Sequence, residues 1–157
     1  MELTVGLLRY LSAQTSITSR VGAFVRTPST GEPYIFRGQL AIPIENSGES
    51  AIVIRQAGSW ATSNRHNTMR FPRIELQVFS DVPRLVSVGP TSLDSQKPCL
   101  ELCTELFKLL HRPDASGFYW DSVRILNSMV LSEPDPRPHP DGDAMSVGVM
   151  SVGVSLG

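Results

Sequence analysis

Four groups of side chains in this chain have residue types that could do chemistry. Cys99, Cys103 and His111 fall on one amphipathic segment and offer the sulfur and imidazole ligands of a metal site. At about 100° per residue, His111 lies about 120° round a helix from Cys99, so the three do not converge on one ion. The two thiols share a helical face at a spacing of four. A helix does not aim sulfurs at that spacing toward each other, so two reduced core thiols are expected rather than a disulfide. The run His139-Pro140-Asp141-Gly142-Asp143 mixes ligand types near a glycine. A calcium loop needs more oxygens at set spacing and a closing glutamate, which this run lacks, so it reads as a solvated loop.

His66, Asp81 and His139 are the residues from which a small hydrolase could build an acid–base site. Such a site also needs a nucleophile on a strained turn. The chain has no G-x-S-x-G, no glycine-rich phosphate loop and no H-E-x-x-H. The expectation is a protein without catalytic activity, cofactor or metal. The last group is basic: Arg55, Arg65, Arg70, Arg73 and Arg84 face only Glu75 and Asp81 within residues 55–84. A phosphate backbone would suit such a patch. Without interleaved aromatic residues or a groove-entering motif, a protein interface or a solvated face is the better reading.

The 157 residues fit one domain, 1–157, long enough to bury roughly 70% of its unfolded surface without disulfides or metal. Twelve glycines and twelve prolines predict several ordered loops. A net charge of -1 argues against a dedicated nucleic-acid binder. The charge is uneven, with nine arginines against six acids in residues 1–90 and five basic residues against nine acids in 91–157. Arginine makes up 12 of the 14 basic residues, which fits planar contacts at an interface and equally a GC-rich genome. Two cysteines fit a reducing compartment. Glu2 and the lack of a basic start predict no secretory leader, and no apolar run approaches the ~20 residues of a membrane span.

Leu3, Leu7, Leu8 and Leu11 recur at helical spacing, predicting a helix over 2–13 that the polar cluster Ser12–Ser19 ends. Arg20–Arg26 reads as a strand. Residues 27–50 form an excursion too long for a hairpin, with room for a short strand at Tyr34–Phe36. Ile52–Ile54 reads as a buried strand broken at Gly58 and Ser59, and 59–70 as a polar loop carrying Trp60. Ile74, Leu76 and Val78 alternate with Arg73, Glu75 and Gln77, the mark of a strand with one partner-covered or solvated face. A second helix is predicted from Asp94 to His111, with Cys99, Cys103, Leu106, Phe107 and Leu110 as its apolar stripe. Tyr119–Leu131 reads as one strand. Residues 132–143, with four prolines and four acids, read as a stiff exposed loop. MSVGV occurs at 145–149 and again at 150–154, and its change of parity predicts a β-bulge near Met150. The sum is an α+β fold, a small mostly antiparallel sheet of four to five strands with two helices packed on one face.

This element order, with the runs AIVIRQAGS and RIELQVFSD and the helix that follows, resembles the tail-terminator (tail-completion) proteins of long-tailed bacteriophages. The likeness spans most of the chain and is sharpest at Ile52–Gly58 and Arg73–Leu110. It implies a structural virion protein that closes into a homohexameric ring. The ring would cap the tail tube, end its polymerisation and offer the docking surface for the head connector. The implied partners are other copies of the chain, the tail tube protein and a head–tail connector or stopper protein, with DNA passing only through the lumen and no membrane. The implied place is the tail or neck of the virion, after assembly in the host cytoplasm. A connector or stopper subunit is the alternative within the same machine, and the hydrolase of His66, Asp81 and His139 the alternative outside it.

A ring of one repeated contact needs two complementary patches on each subunit. By sign, the candidates are the basic Arg65, Arg70 and Arg73 and the acidic Asp135, Asp141 and Asp143, with Trp60 as an apolar anchor.

Overall fold

The computed structural model describes residues 2–24, 31–40, 49–64, 67–81, 96–132, 134–139 and 142–157, and not the side chains of 24, 59–64, 67–70, 138, 139 and 142–144. The chain begins with α1 (Leu3–Ser12), α2 (Thr15–Thr18) and the short strands β1 (Ala23–Phe24), β2 (Glu32–Pro33) and β3 (Ile35–Arg37). The long strands β4 (Ser50–Asn64) and β5 (Asn67–Ser80) follow, then α3 (Gln96–Leu110). The chain closes with β6 (Phe118–Trp120), β7 (Val123–Val130), β8 (Arg137–His139) and β9 (Gly142–Leu156).

The alternating run at Ile74 forms the middle of the sheet. β5 pairs with β4 on one side and with β9 on the other, both antiparallel. The strand order is β3-β4-β5-β9-β7-β6, and β8 pairs with the part of β9 that β7 leaves free. The expectation of four to five mostly antiparallel strands is therefore corrected: the described sheet has seven strands, and it is mixed because β3 runs parallel to β4. The added strands are three residues long, too short to show a period. β1 and β2 form a separate two-stranded ribbon.

Ile74, Leu76 and Val78 on β5 and Met150, Val152 and Val154 on β9 face one core with Leu3, Leu7 and Leu11 of α1 and Cys99, Leu102, Cys103, Leu106 and Leu110 of α3. Both long helices thus lie on one face, as expected. The stripe of α3 is corrected at one position: Leu102 is buried, whereas Phe107 stays 37% exposed and stacks on His111 at 4.7 Å. His111 serves structure, its Nδ1 accepting the Val130 N–H at 3.2 Å. Gly6 lets α1 approach the β6–β7 turn, since a Cβ there would stand 2.7 Å from Val123 Cγ2 and 2.8 Å from the Trp120 carbonyl oxygen.

Four further expectations change. Residues 59–64 and 67–70 are strand rather than loop: the β4–β5 ribbon passes Gly58, a bulge residue at φ 103°, and continues to the pair Asn64↔Asn67. Tyr119–Leu131 is a hairpin, turned at Asp121 with φ 56°, a conformation that aspartate tolerates. The bulge expected near Met150 is absent, because the β5–β9 register runs unbroken from Ser146 to Gly153. The repeat's change of parity instead makes β9 apolar on both faces. Finally, the polar cluster after α1 contains the single turn α2, which buries Ile17. No helix among the described residues is long and apolar enough to cross a membrane.

Cys99 and Cys103 are fully buried and unpaired by disulfide, as expected for core thiols. The hydrogen bond with Cys99, and then burial, push the Cys103 thiol far up. A Cβ on Gly148 would meet the Cys103 sulfur at 3.0 Å, so the helix sits directly on β9. The native protein should resist a bulky maleimide for as long as it stays folded. Cys103→Ser should cost about 1–3 kcal/mol in urea unfolding, by burying a hydroxyl in an apolar contact. Rapid labelling of both thiols in the native protein would contradict this packing.

Candidate assembly surface

The sheet face away from the helices divides into two halves. One half is covered. Ala51, Val53, Phe79 and Met145 pack there beneath Tyr34, Phe36 and Leu40 of the excursion. The other half, where β5, β9 and β7 run side by side, has no cover among the described residues. Register sets its composition: Arg73 pairs with Gly153 and Gly153 with Met129, so these three form one row across three strands. Leu131 leans over Gly153, where a Cβ would come within 3.3 Å of its Cδ1.

The result is an open groove of about 330 Å³ lined by Phe71, Arg73, Met129, Leu131 and Gly153, with Asn127, Val154 and Ser155 beside them. Met129 is 45% exposed, Leu131 49% and nearby Val149 42%. Single exposed apolar residues are ordinary, but a contiguous set beside an arginine has the make-up of an interface core. Few polar groups converge here, unlike a small-molecule or catalytic pocket.

Arg73 is the informative member. Its Nη2 donates to Ser151 Oγ at 3.1 Å, but its Nε is buried without an acceptor among the described residues. No carboxylate of the described residues lies within ion-pair distance of it. Glu75, two residues along the same face, accepts instead from Gln77 at 3.0 Å. A buried donor left unpaired costs about 1–3 kcal/mol, more when charged. Among the described residues the lining therefore lacks one acceptor, which a carboxylate would supply.

Of the other expected interface residues, Trp60 and Arg70 lie on the β4–β5 ribbon, their side chains outside the description. Arg65 and Asp141 lie outside the described residues, and Asp143 is placed on β9 by its backbone alone. Asp135 is exposed and tied to Arg137 at 2.9 Å. Of the hydrolase residues, His66 lies outside the described residues and the His139 side chain is not described. Asp81 is buried where β5 ends, and the pair Asn64↔Asn67 that flanks His66 lies at the opposite end of that 14-residue strand. That distance is about 45 Å at ~3.3 Å per residue, so the sheet separates the two segments. Among the described residues no cluster of His, Cys, Asp or Glu could hold a metal ion. The sequence reading found Arg73 but missed the apolar half of the groove. Met129, Leu131 and Gly153 gain their meaning only from the β5–β9–β7 register.

No protein-family model matches the chain, and no curated protein matches it in sequence. Its fold is similar to that of a chain in a solved structure described as the virion of a native gene transfer agent (GTA) particle. The TM-score is 0.58 at 11% identity, covering 99% of this chain and 95% of the other. At that identity the likeness is one of fold, and it extends over the whole of the domain.

Proposed function

We propose that this protein is a structural subunit of a phage-like virion, a tail terminator whose head-to-tail ring closes the tail tube and presents a docking surface to the head connector. The observation that carries the reading is the whole-chain likeness of fold to a virion particle chain. Two features of this chain support it. Its open sheet face is an apolar groove around an arginine lacking an acceptor, which suits a partner protein rather than a substrate. Its acidic segment at 132–143 lies elsewhere in the sequence from the basic 55–84 stretch, which suits a contact between unlike patches. One unlike-patch contact repeated around an axis closes a ring when the rotation between subunits completes a circle. The work done is geometric, with no bond made or broken. Tail tube protein polymerised with this chain present should give tubes of limited length, and tubes polymerised without it should keep growing. Equal length distributions in the two preparations would contradict the terminator role.

A further inference from the structure

We infer that the Arg73 groove receives Leu100 and Glu101 of helix α3 from a second copy of this chain. The inference rests on the ring reading above and names the contact by which the ring closes. The groove calls for an apolar side chain to fill the space over Gly153 and a carboxylate to meet the Arg73 guanidinium. The large exposed apolar residues of the described chain are Leu100, Phe107, Tyr119, Leu126, Met129, Leu131, Val149 and Leu156. Leu126 and Leu156 have no acidic residue within two positions in the sequence, and the carboxylates beside two other sites are already engaged. Asp121, by Tyr119, pairs with Arg9 at 3.4 Å, and Glu105, by Phe107, pairs with Lys108 at 2.9 Å. Met129, Leu131 and Val149 belong to the groove side itself. Leu100, 51% exposed, adjoins Glu101, which is exposed and makes no ion pair among the described residues. Lys97, one turn earlier, is also exposed and forms no bridge to it within 4.0 Å.

The surroundings agree. Leu100 lies with Pro134, Asp135 and Pro136 along one surface hollow, so the acidic segment adjoins the same helix face. Asp135 is held by Arg137, which leaves Glu101 as the carboxylate without an ion pair among the described residues of this patch. α3 packs on the inner face of the sheet and the groove opens on the outer face, so α3 cannot fill the groove of its own chain. The contact is between unlike surfaces and propagates from copy to copy. The Arg73 guanidinium would gain a charge-assisted acceptor for its buried Nε.

The test uses full-length protein under the conditions in which wild type assembles, in solution or on tube ends. Glu101→Arg, at an exposed position, should weaken assembly at least tenfold, and so should Arg73→Glu. Combining the two should restore it to within a few-fold of wild type. Separately, mixing the Leu100→Cys and Met129→Cys variants should give a mixed disulfide between copies. If Glu101→Arg assembles as wild type does, or if Met129→Cys cross-links to itself instead, the α3 contact is wrong while the ring reading stands. If wild type never assembles, both fall.

Discussion

Replacing Trp120 by alanine should cost about 3–5 kcal/mol, the usual range for truncating a large aromatic in a close-packed core. Trp120 is the largest fully buried side chain, with Tyr10 stacked at 6.5 Å and Phe118 tilted against it at 6.2 Å. It joins the β6–β7 hairpin to α1 at the place where Gly6 already brings backbone and helix too close to collapse further. Its Nε1–H finds no acceptor among the described residues, so Trp120→Phe removes an unpaired donor along with the lost volume and should cost much less than alanine. Urea unfolding monitored by circular dichroism would read both changes as midpoint shifts at constant slope. A loss below about 1 kcal/mol for the alanine variant would show that this end of the core is not packed as described.

The second large effect is on assembly rather than stability. Replacing both Met129 and Leu131 by aspartate should leave the monomer within about 0.5 kcal/mol of wild type, as surface changes generally do. Both side chains project from the open sheet face and are nearly half exposed. The new carboxylates would stand beside Arg73 and supply the acceptor it lacks, which further protects the fold. The same change turns an apolar groove acidic and should abolish binding of an apolar side chain followed by a carboxylate. Exposed charge pairs are individually worth at most ~1 kcal/mol, so the apolar lining must supply most of the contact energy. Sedimentation of the double variant should show monomer wherever wild type is assembled. Normal assembly by the double variant would place the interface elsewhere.

Strong periods made part of this fold legible in the sequence. The alternation at 73–79 and the leucine spacings of α1 and α3 reflect elements with one buried face, and such faces leave a period in the residues. The sequence of 59–70 is mostly polar with no regular alternation, so it resembles a loop. β9 is apolar on both sides, and two interleaved periods look like a break in one. The Asp121 turn lacks the glycine that usually marks a two-residue hairpin. Only half of the candidate surface was legible. A run of arginines is visible in any sequence, and Arg73 stood out by sign. Gly153, Met129 and Leu131 are separated from Arg73 by more than fifty residues of sequence and meet it only through the pairing of three strands. That the buried Nε has no acceptor among the described residues follows from packing and from no sequence motif.

The central claim is that copies of this chain join head to tail into a closed ring at the end of a tube. Electron microscopy of tail tubes incubated with the full-length protein tests it most directly. The predicted result is a six-fold ring on one end of each tube, with the open sheet face of every subunit covered by α3 of its neighbour. Bare tube ends at every concentration, with the protein remaining monomeric in solution, would contradict it.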